Sequence, residues 1–142
     1  IEWVRSHWQG KLLLKGLLDV DDAHAAVNAG ADGIVVSNHG GRQLDSVASS
    51  IVKLPAIVQA VGTRAEVLLD GGVRSGVDIF KALALGARGV LIGRPWVWAL
   101  AGAGEPGLRD LLATLRRELV LAMTLAGVTR IADINAKHLD RG

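Results

Sequence analysis

The stretch Val67-Leu-Leu-Asp-Gly-Gly-Val-Arg-Ser-Gly-Val-Asp-Ile-Phe-Lys-Ala-Leu-Ala-Leu-Gly-Ala-Arg-Gly-Val-Leu-Ile-Gly-Arg94 holds two short apolar runs, Val67-Leu68-Leu69 and Val90-Leu91-Ile92, with a helix-like segment between them. Neither run alternates with polar residues, so both read as strands buried on both faces, as in a parallel sheet. In the intervening segment Ser75 and Asp78 stand at N-cap and N3 spacing. Ile79, Phe80 and Leu83 form an apolar stripe, and Gly86 falls at the C-cap. Strand, capped helix, strand is the β-α repeat.

Working outward, Leu12-Leu13-Leu14 and Gly33-Ile34-Val35-Val36 repeat the strand pattern. Asp19 is placed to cap a helix with Val20, Ala23 and Val27 on one face, and Gly30 is placed to stop it. Residues 49–61 make a weaker helix, expected to start near Pro55 with that proline in its first turn. A last long helix, about Leu108 to Ala126, carries Leu108, Leu111, Leu112, Leu115, Leu119, Ala122 and Met123 on one face and ends at Gly127. Four β-α units in series mean a parallel α/β sheet, either open and doubly wound or half of a (β/α)8 barrel. Periodicity does not choose between these. A half barrel has two unpaired strand edges and calls for another segment or a partner chain to cover them.

Half of the 142 residues are apolar and 21% are charged, the composition of one globular unit or part of one. The chain begins at Ile1 with a strand-like run almost at once, and the expectation is that a longer protein has been cut here. Sixteen basic against 14 acidic residues, with no run of like charge, argue against a nucleic-acid partner. With no cysteine there is no disulfide framework, which fits a reducing compartment, and the cytoplasm is the default expectation. No apolar stretch reaches the ~18 residues of a bilayer span, and peripheral membrane attachment is left open.

Polar and glycine residues gather after the apolar runs: Lys15-Gly16, Ser37-Asn38-His39-Gly40-Gly41-Arg42, Asp70-Gly71-Gly72-Val73-Arg74 and Gly93-Arg94. Parallel α/β proteins bind ligands at the C-terminal ends of their strands, so these four clusters read as one site. His39 and Arg42 combine a group suited to proton abstraction with one that grips a carboxylate through two hydrogen bonds, so a small acid is the natural substrate. The glycine amides, helix start and guanidinium groups of residues 70–75 and 93–94 suit a phosphate. Asp70 is placed either to pair with Arg74 or to accept from sugar or ribityl hydroxyls. Lys15, ending a buried strand, calls for an anionic or strongly accepting partner.

These motifs, with Gln43-Leu44-Asp45 and Lys81-Ala-Leu-Ala-Leu-Gly-Ala87, resemble the FMN-dependent 2-hydroxy-acid dehydrogenases and oxidases over nearly the whole chain. Glu2-Trp3-Val4-Arg5, Leu54-Pro55-Ala56-Ile57 and Ala122-Met123-Thr124-Leu125 look most like the bacterial respiratory L-lactate dehydrogenase branch. Glycolate oxidase and mandelate dehydrogenase are close to it. The resemblance implies the C-terminal half of a (β/α)8 barrel, with residues 1–142 as part of a single domain whose N-terminal half-barrel is absent. It implies FMN as cofactor and oxidation of an L-2-hydroxy acid, foremost L-lactate to pyruvate. It makes His39 the base and Arg42 the carboxylate partner. Lys15 would face the N1/C2 carbonyl edge of the flavin, Ser37 would lie along the ring, Asp70 would hold ribityl hydroxyls, and Gly71, Gly72, Arg74, Gly93 and Arg94 would surround the phosphate. Quinone or oxygen as acceptor, a homo-oligomer, and a place at the inner face of the cell membrane are further implications. The family's first four strands supply tyrosines, a second arginine and the aspartate that orients the histidine. This chain has no tyrosine, and alone it is expected to bind FMN weakly and turn over poorly.

His7, His24 and His138 lack partners at metal spacing and read as solvated or capping residues, so no metal site is assigned. Trp3, Trp8, Trp96 and Trp98 read as apolar anchors rather than stacking platforms, and Asp45 as a loop brace through Arg42 or a backbone amide. Two other functions stand beside the redox one: a non-redox barrel isomerase acting on a phosphorylated ligand, and an inert half-barrel fragment.

Overall fold

A computed structural model describes residues 1–139. A short helix α1 (Glu2–His7) is followed by β1 (Leu13–Leu17), α2 (Val20–Asn28), β2 (Gly33–Ser37), α3 (Ser50–Val61), β3 (Glu66–Asp70), α4 (Gly76–Ala84), β4 (Gly89–Leu91) and α5 (Arg94–Leu125). All three strand pairings are parallel and the order is β1-β2-β3-β4. A doubly wound sheet reverses its strand order at a switch point. This one runs in sequence order throughout, the winding of half a (β/α)8 barrel.

Strand residues alternate between two environments. Ile34, Val36, Val67 and Leu69 join Leu54, Ile57 and Val61 of α3 in the main core under the helices. Lys15, Val35 and Leu68 are in register with one another on the opposite face, as are Ser37, Asp70 and Leu91 one step further along β2, β3 and β4. Only β2 is buried along its whole length. At the flanks Leu13 is 47% and Leu91 36% exposed. The expectation of strands buried on both faces therefore holds for β2 alone, because helices cover one face and neighbouring strands shield only the middle of the other.

Several local expectations need correction. Residues 2–7 form a helix that the sequence reading did not assign, docked by Arg5, whose guanidinium donates to Asp32 Oδ2 (3.2 Å), Gly30 O (3.3 Å), Gly10 O (2.7 Å) and Trp8 O. Helix α3 starts at Ser50 and runs through Pro55. Burying Leu54, Ile57 and Val61 contributes about 1.5–3 kcal/mol each, which exceeds the roughly 3 kcal/mol cost of one interior proline. Helix α5 starts at Arg94, well before Leu108, and breaks at Ala103 and Gly104 ahead of Pro106. Its second segment packs Leu119, Ala122 and Met123 against Phe80, Leu83 and Ala84 of α4, forming a smaller core with Val128 and Ile134.

Other helix signals stand as read. Asp19 caps α2, its side chain accepting from Asp21 N. Ser75 and Asp78 form a reciprocal capping box on α4, although the C-cap residue is Leu85 and Gly86 follows it. His138 caps the 3₁₀ turn Ala136–His138, while His24 lies against Arg64 and His7 bonds within α1. The four tryptophans are 40–73% exposed.

Candidate functional site

At the C-terminal ends of the strands lies a cleft of about 720 Å³, within the roughly 300–1,000 Å³ of small-molecule sites. Lys15, His39, Arg42, Asp70, Gly71, Gly72, Arg74, Gly93 and Arg94 all line it. Ser37 is fully buried beneath it. The structure thus gathers the four clusters of the sequence into one place. Gln43, Val73, Leu91, Pro95 and Trp98 join them. Trp98 lies four residues beyond Arg94 on α5, and that helical spacing was the signal for it.

Strand register explains the floor of the cleft. Ser37 and Asp70 are Cα partners at the ends of β2 and β3, so their side chains leave the same face side by side. Lys15 lies inside β1 rather than after it, two residues further down the neighbouring strand, and the register breaks between Lys15 and Leu17. Lys15 Nζ pairs with Asp70 Oδ2 at 2.5 Å and donates to Ser37 Oγ at 3.1 Å, and Ser37 Oγ donates to Asp70 Oδ2 at 2.9 Å. Asp70 therefore pairs with Lys15, not Arg74. Burial by itself would raise the Asp70 pKa, but hydrogen bonds from Lys15 and Ser37 and the Lys15 charge outweigh it and hold the carboxyl below its ordinary value.

His39 follows at the top of β2 with a left-handed backbone (φ 55°), a conformation that costs a non-glycine residue roughly 1–2 kcal/mol. The surrounding bonds hold it there. His39 N donates to Ser37 Oγ (3.1 Å), Asn38 N to Ser50 Oγ (3.0 Å) and Gly40 N to Asn38 Oδ1 (3.0 Å). No hydrogen bond to either ring nitrogen of His39 occurs among the described residues, so its imidazole is free to face a ligand. Asp45 accepts from Ser46 N and leaves Arg42 alone.

Charge in the cleft is unbalanced, with Lys15, Arg42, Arg74 and Arg94 against the single carboxylate of Asp70. Arg94 touches only the Gly40 carbonyl, at 3.4 Å, and among the described residues no carboxylate pairs with Arg42, Arg74 or Arg94. Several amides at the start of α4 are already used: Gly76 N donates to Glu118 Oε2, Ser75 N to Asp78 Oδ2 and Asp78 N to Ser75 Oγ. At the start of α5 the N-cap Gly93 provides no side-chain cap, Pro95 has no N–H and Trp96 N donates to Gly93 O at 3.2 Å, so the first-turn amide left for an anion is that of Arg94. A Cβ added at Gly72 or Gly93 would meet nothing within 4 Å, so the backbone there lies open to the cleft. Excess positive charge, an uncapped helix start and bare backbone suit a phosphorylated, anionic ligand. Among the described residues no group of three or more His, Cys, Asp or Glu could hold a metal ion.

Comparisons with known proteins agree with this geometry. The chain is 58% identical over 135 residues to an L-lactate dehydrogenase of Caulobacter vibrioides, covering 95% of this chain and 35% of that protein. It is 54% identical over 141 residues to an L-lactate dehydrogenase of Xanthomonas axonopodis pv. citri, covering 99% and 36%. The chain thus spans about a third of the length of the curated relatives it matches. Among solved structures, mandelate oxidase with 3,3-difluoro-2-hydroxy-3-phenylpropionic acid superposes with a TM-score of 0.92 at 54% identity, covering 95% of this chain and 41% of that one. A mandelate oxidase mutant with a monooxide FMN adduct gives 0.89 at 56% identity, covering 92% and 42%. Since residues 1–141 also match the family model for FMN-dependent dehydrogenases, the chain belongs to the FMN-dependent dehydrogenase family.

Proposed function

We propose that this chain carries the base-bearing and phosphate-binding part of an FMN-dependent L-2-hydroxy-acid dehydrogenase or oxidase, with L-lactate as substrate and pyruvate as product. The observation that carries the reading is one cleft in which, among the described residues, the His39 imidazole has no hydrogen bond and lies beside guanidinium groups without carboxylate partners. FMN fits the residues present: Arg74, Arg94, Gly71 and the open backbone at Gly72 and Gly93 would hold its phosphate, and Asp70 its ribityl hydroxyls. When bound, it accepts the two electrons that leave the hydroxy acid.

The chain's own residues do the rest. Arg42 clamps the substrate carboxylate through two parallel hydrogen bonds and so fixes which face of the acid is presented. His39 takes a proton from the clamped acid, from either the α-carbon or the hydroxyl. Lys15 holds positive charge on the cleft floor, where negative charge gathers as electrons arrive. Ser37 contributes to that edge through Lys15 and Asp70. Quinone or oxygen as final acceptor, a homo-oligomeric state and a cytoplasmic location, peripheral on the inner face of the cell membrane, accompany this reading.

An absorption spectrum of the protein with FMN, before and after anaerobic L-lactate, tests it on this chain and on one extended at its N-terminus. Bleaching of bound flavin in the extended chain, lost in His39→Ala, is the expected result. Flavin bound without bleaching by any small 2-hydroxy acid would overturn the redox assignment in favour of a phosphate-ligand isomerase, and no flavin bound by either would leave an inert fragment.

A further inference from the structure

The geometry points to Ser37 as a positioning residue that ties the backbone of His39 to the Lys15–Asp70 ion pair. A serine hydroxyl has one proton and two lone pairs, and all three are used here. Asp70 Oδ2 only accepts, so the proton of Ser37 Oγ points to it at 2.9 Å. Both lone pairs then face donors, Lys15 Nζ at 3.1 Å and His39 N at 3.1 Å. The orientation of the hydroxyl has no alternative that satisfies all four groups. Ser37 is 0% exposed, so these partners are met away from bulk solvent, and the negative charge of Asp70 polarises the hydroxyl toward stronger acceptance from both donors.

The consequence concerns the base. His39 holds a left-handed backbone with φ 55°, and the bond from its own amide to Ser37 opposes relaxation into the extended region. The next residue back, Asn38, is held at its amide by Ser50, and the next forward, Gly40, by Asn38. Of these three bonds only the one at His39 leads into the charged floor of the cleft. Movement of Lys15 or Asp70 on binding an anion is therefore transmitted through one oxygen to the residue that carries the imidazole. This inference takes His39 as the base proposed above.

Its test reads His39 directly. In the full chain with Ser37→Ala, the His39 amide should exchange with solvent at least tenfold faster than in wild type, with the Asn38 amide, held by Ser50, unchanged. The His39 ring resonances should shift or broaden, and Ser37→Thr, which keeps the hydroxyl, should restore both. With FMN and L-lactate, Ser37→Ala should slow flavin reduction at least tenfold. Unchanged His39 exchange and ring signals in Ser37→Ala would overturn the assignment whether or not the protein oxidises lactate, so the two proposals fail separately. Should Ser37→Ala not fold, the wild type decides: a His39 amide exchanging at the rate of an open loop overturns the assignment, and a protected one supports it.

Discussion

Gly16 and His39 lie so close that a side chain at position 16 would displace the imidazole: a Cβ built there would lie 2.5 Å from His39 Cε1 and 3.3 Å from Nε2. Gly16 also has φ +105° where β1 breaks register beside β2. The imidazole thus rests on bare strand backbone. Gly16→Ala is expected to lose about 1–3 kcal/mol from the strained backbone and the clash, read as a lowered urea midpoint. It should also slow flavin reduction by L-lactate. An unchanged midpoint would mean that the ring swings away freely and that the contact does not hold it.

Asp32 anchors the entry to β1. Its carboxylate accepts from Lys11 Nζ (2.9 Å), Leu12 N (2.9 Å) and Arg5 Nη1 (3.2 Å). The Lys11 hydrogen bond, then that from Leu12, lower its pKa to about 2. A carboxyl lowered on folding adds stability that is complete above its unfolded value, about 3.9, and lost as pH falls through the folded one. Wild type should therefore exceed Asp32→Asn in thermal midpoint at pH 6, with the difference shrinking between about pH 4 and pH 2. A difference independent of pH would show that the charge is not responsible.

The unpaired arginines predict a phosphate-dependent affinity. Arg74→Met and Arg94→Met should each weaken FMN binding roughly ten- to hundredfold, the equivalent of about 1.5–3 kcal/mol for a hydrogen bond to a charged group. Riboflavin, which lacks the phosphate, should bind the variants and the wild type alike. Titration calorimetry with both ligands separates the cases, and an equal loss for riboflavin would place these guanidinium groups elsewhere on the ligand.

Two neighbouring residues at the start of α4 should differ in their effect. Ser75→Ala removes one half of the capping box and should cost about 1 kcal/mol. Gly76→Ala should cost more, because a Cβ there would lie 2.2 Å from Leu119 N and 2.6 Å from Glu118 C, where α5 crosses. Chemical denaturation of both variants checks the order. A Gly76→Ala protein as stable as Ser75→Ala would mean that α5 shifts at little cost.

Much of this was legible in the residues. Ser75 with Asp78, and Asp19 ahead of Val20, announce helix starts because capping is local chemistry set by two or three neighbours. The apolar runs announce parallel strands because a strand between two others has little room for polar side chains. His39, Arg42, Asp70 and Arg94 announce a site because charged residues at strand ends need a partner. Other features depended on residues far apart in the chain. Pro55 lies inside α3 because the core contact of Leu54 and Ile57 outweighs the local penalty. The sheet is singly wound because strand order is a property of packing. Lys15 meets Asp70 rather than a ligand alone, and the Gly76 amide at the α4 start is taken by Glu118, 42 residues away. Sequence spacing determines which groups are available and on which face of a strand or helix they emerge. Only the register of β1, β2 and β3 brings Lys15, Ser37 and Asp70 within hydrogen-bond reach beneath His39, because that distance is set by inter-strand bonds and not by the length of chain between them.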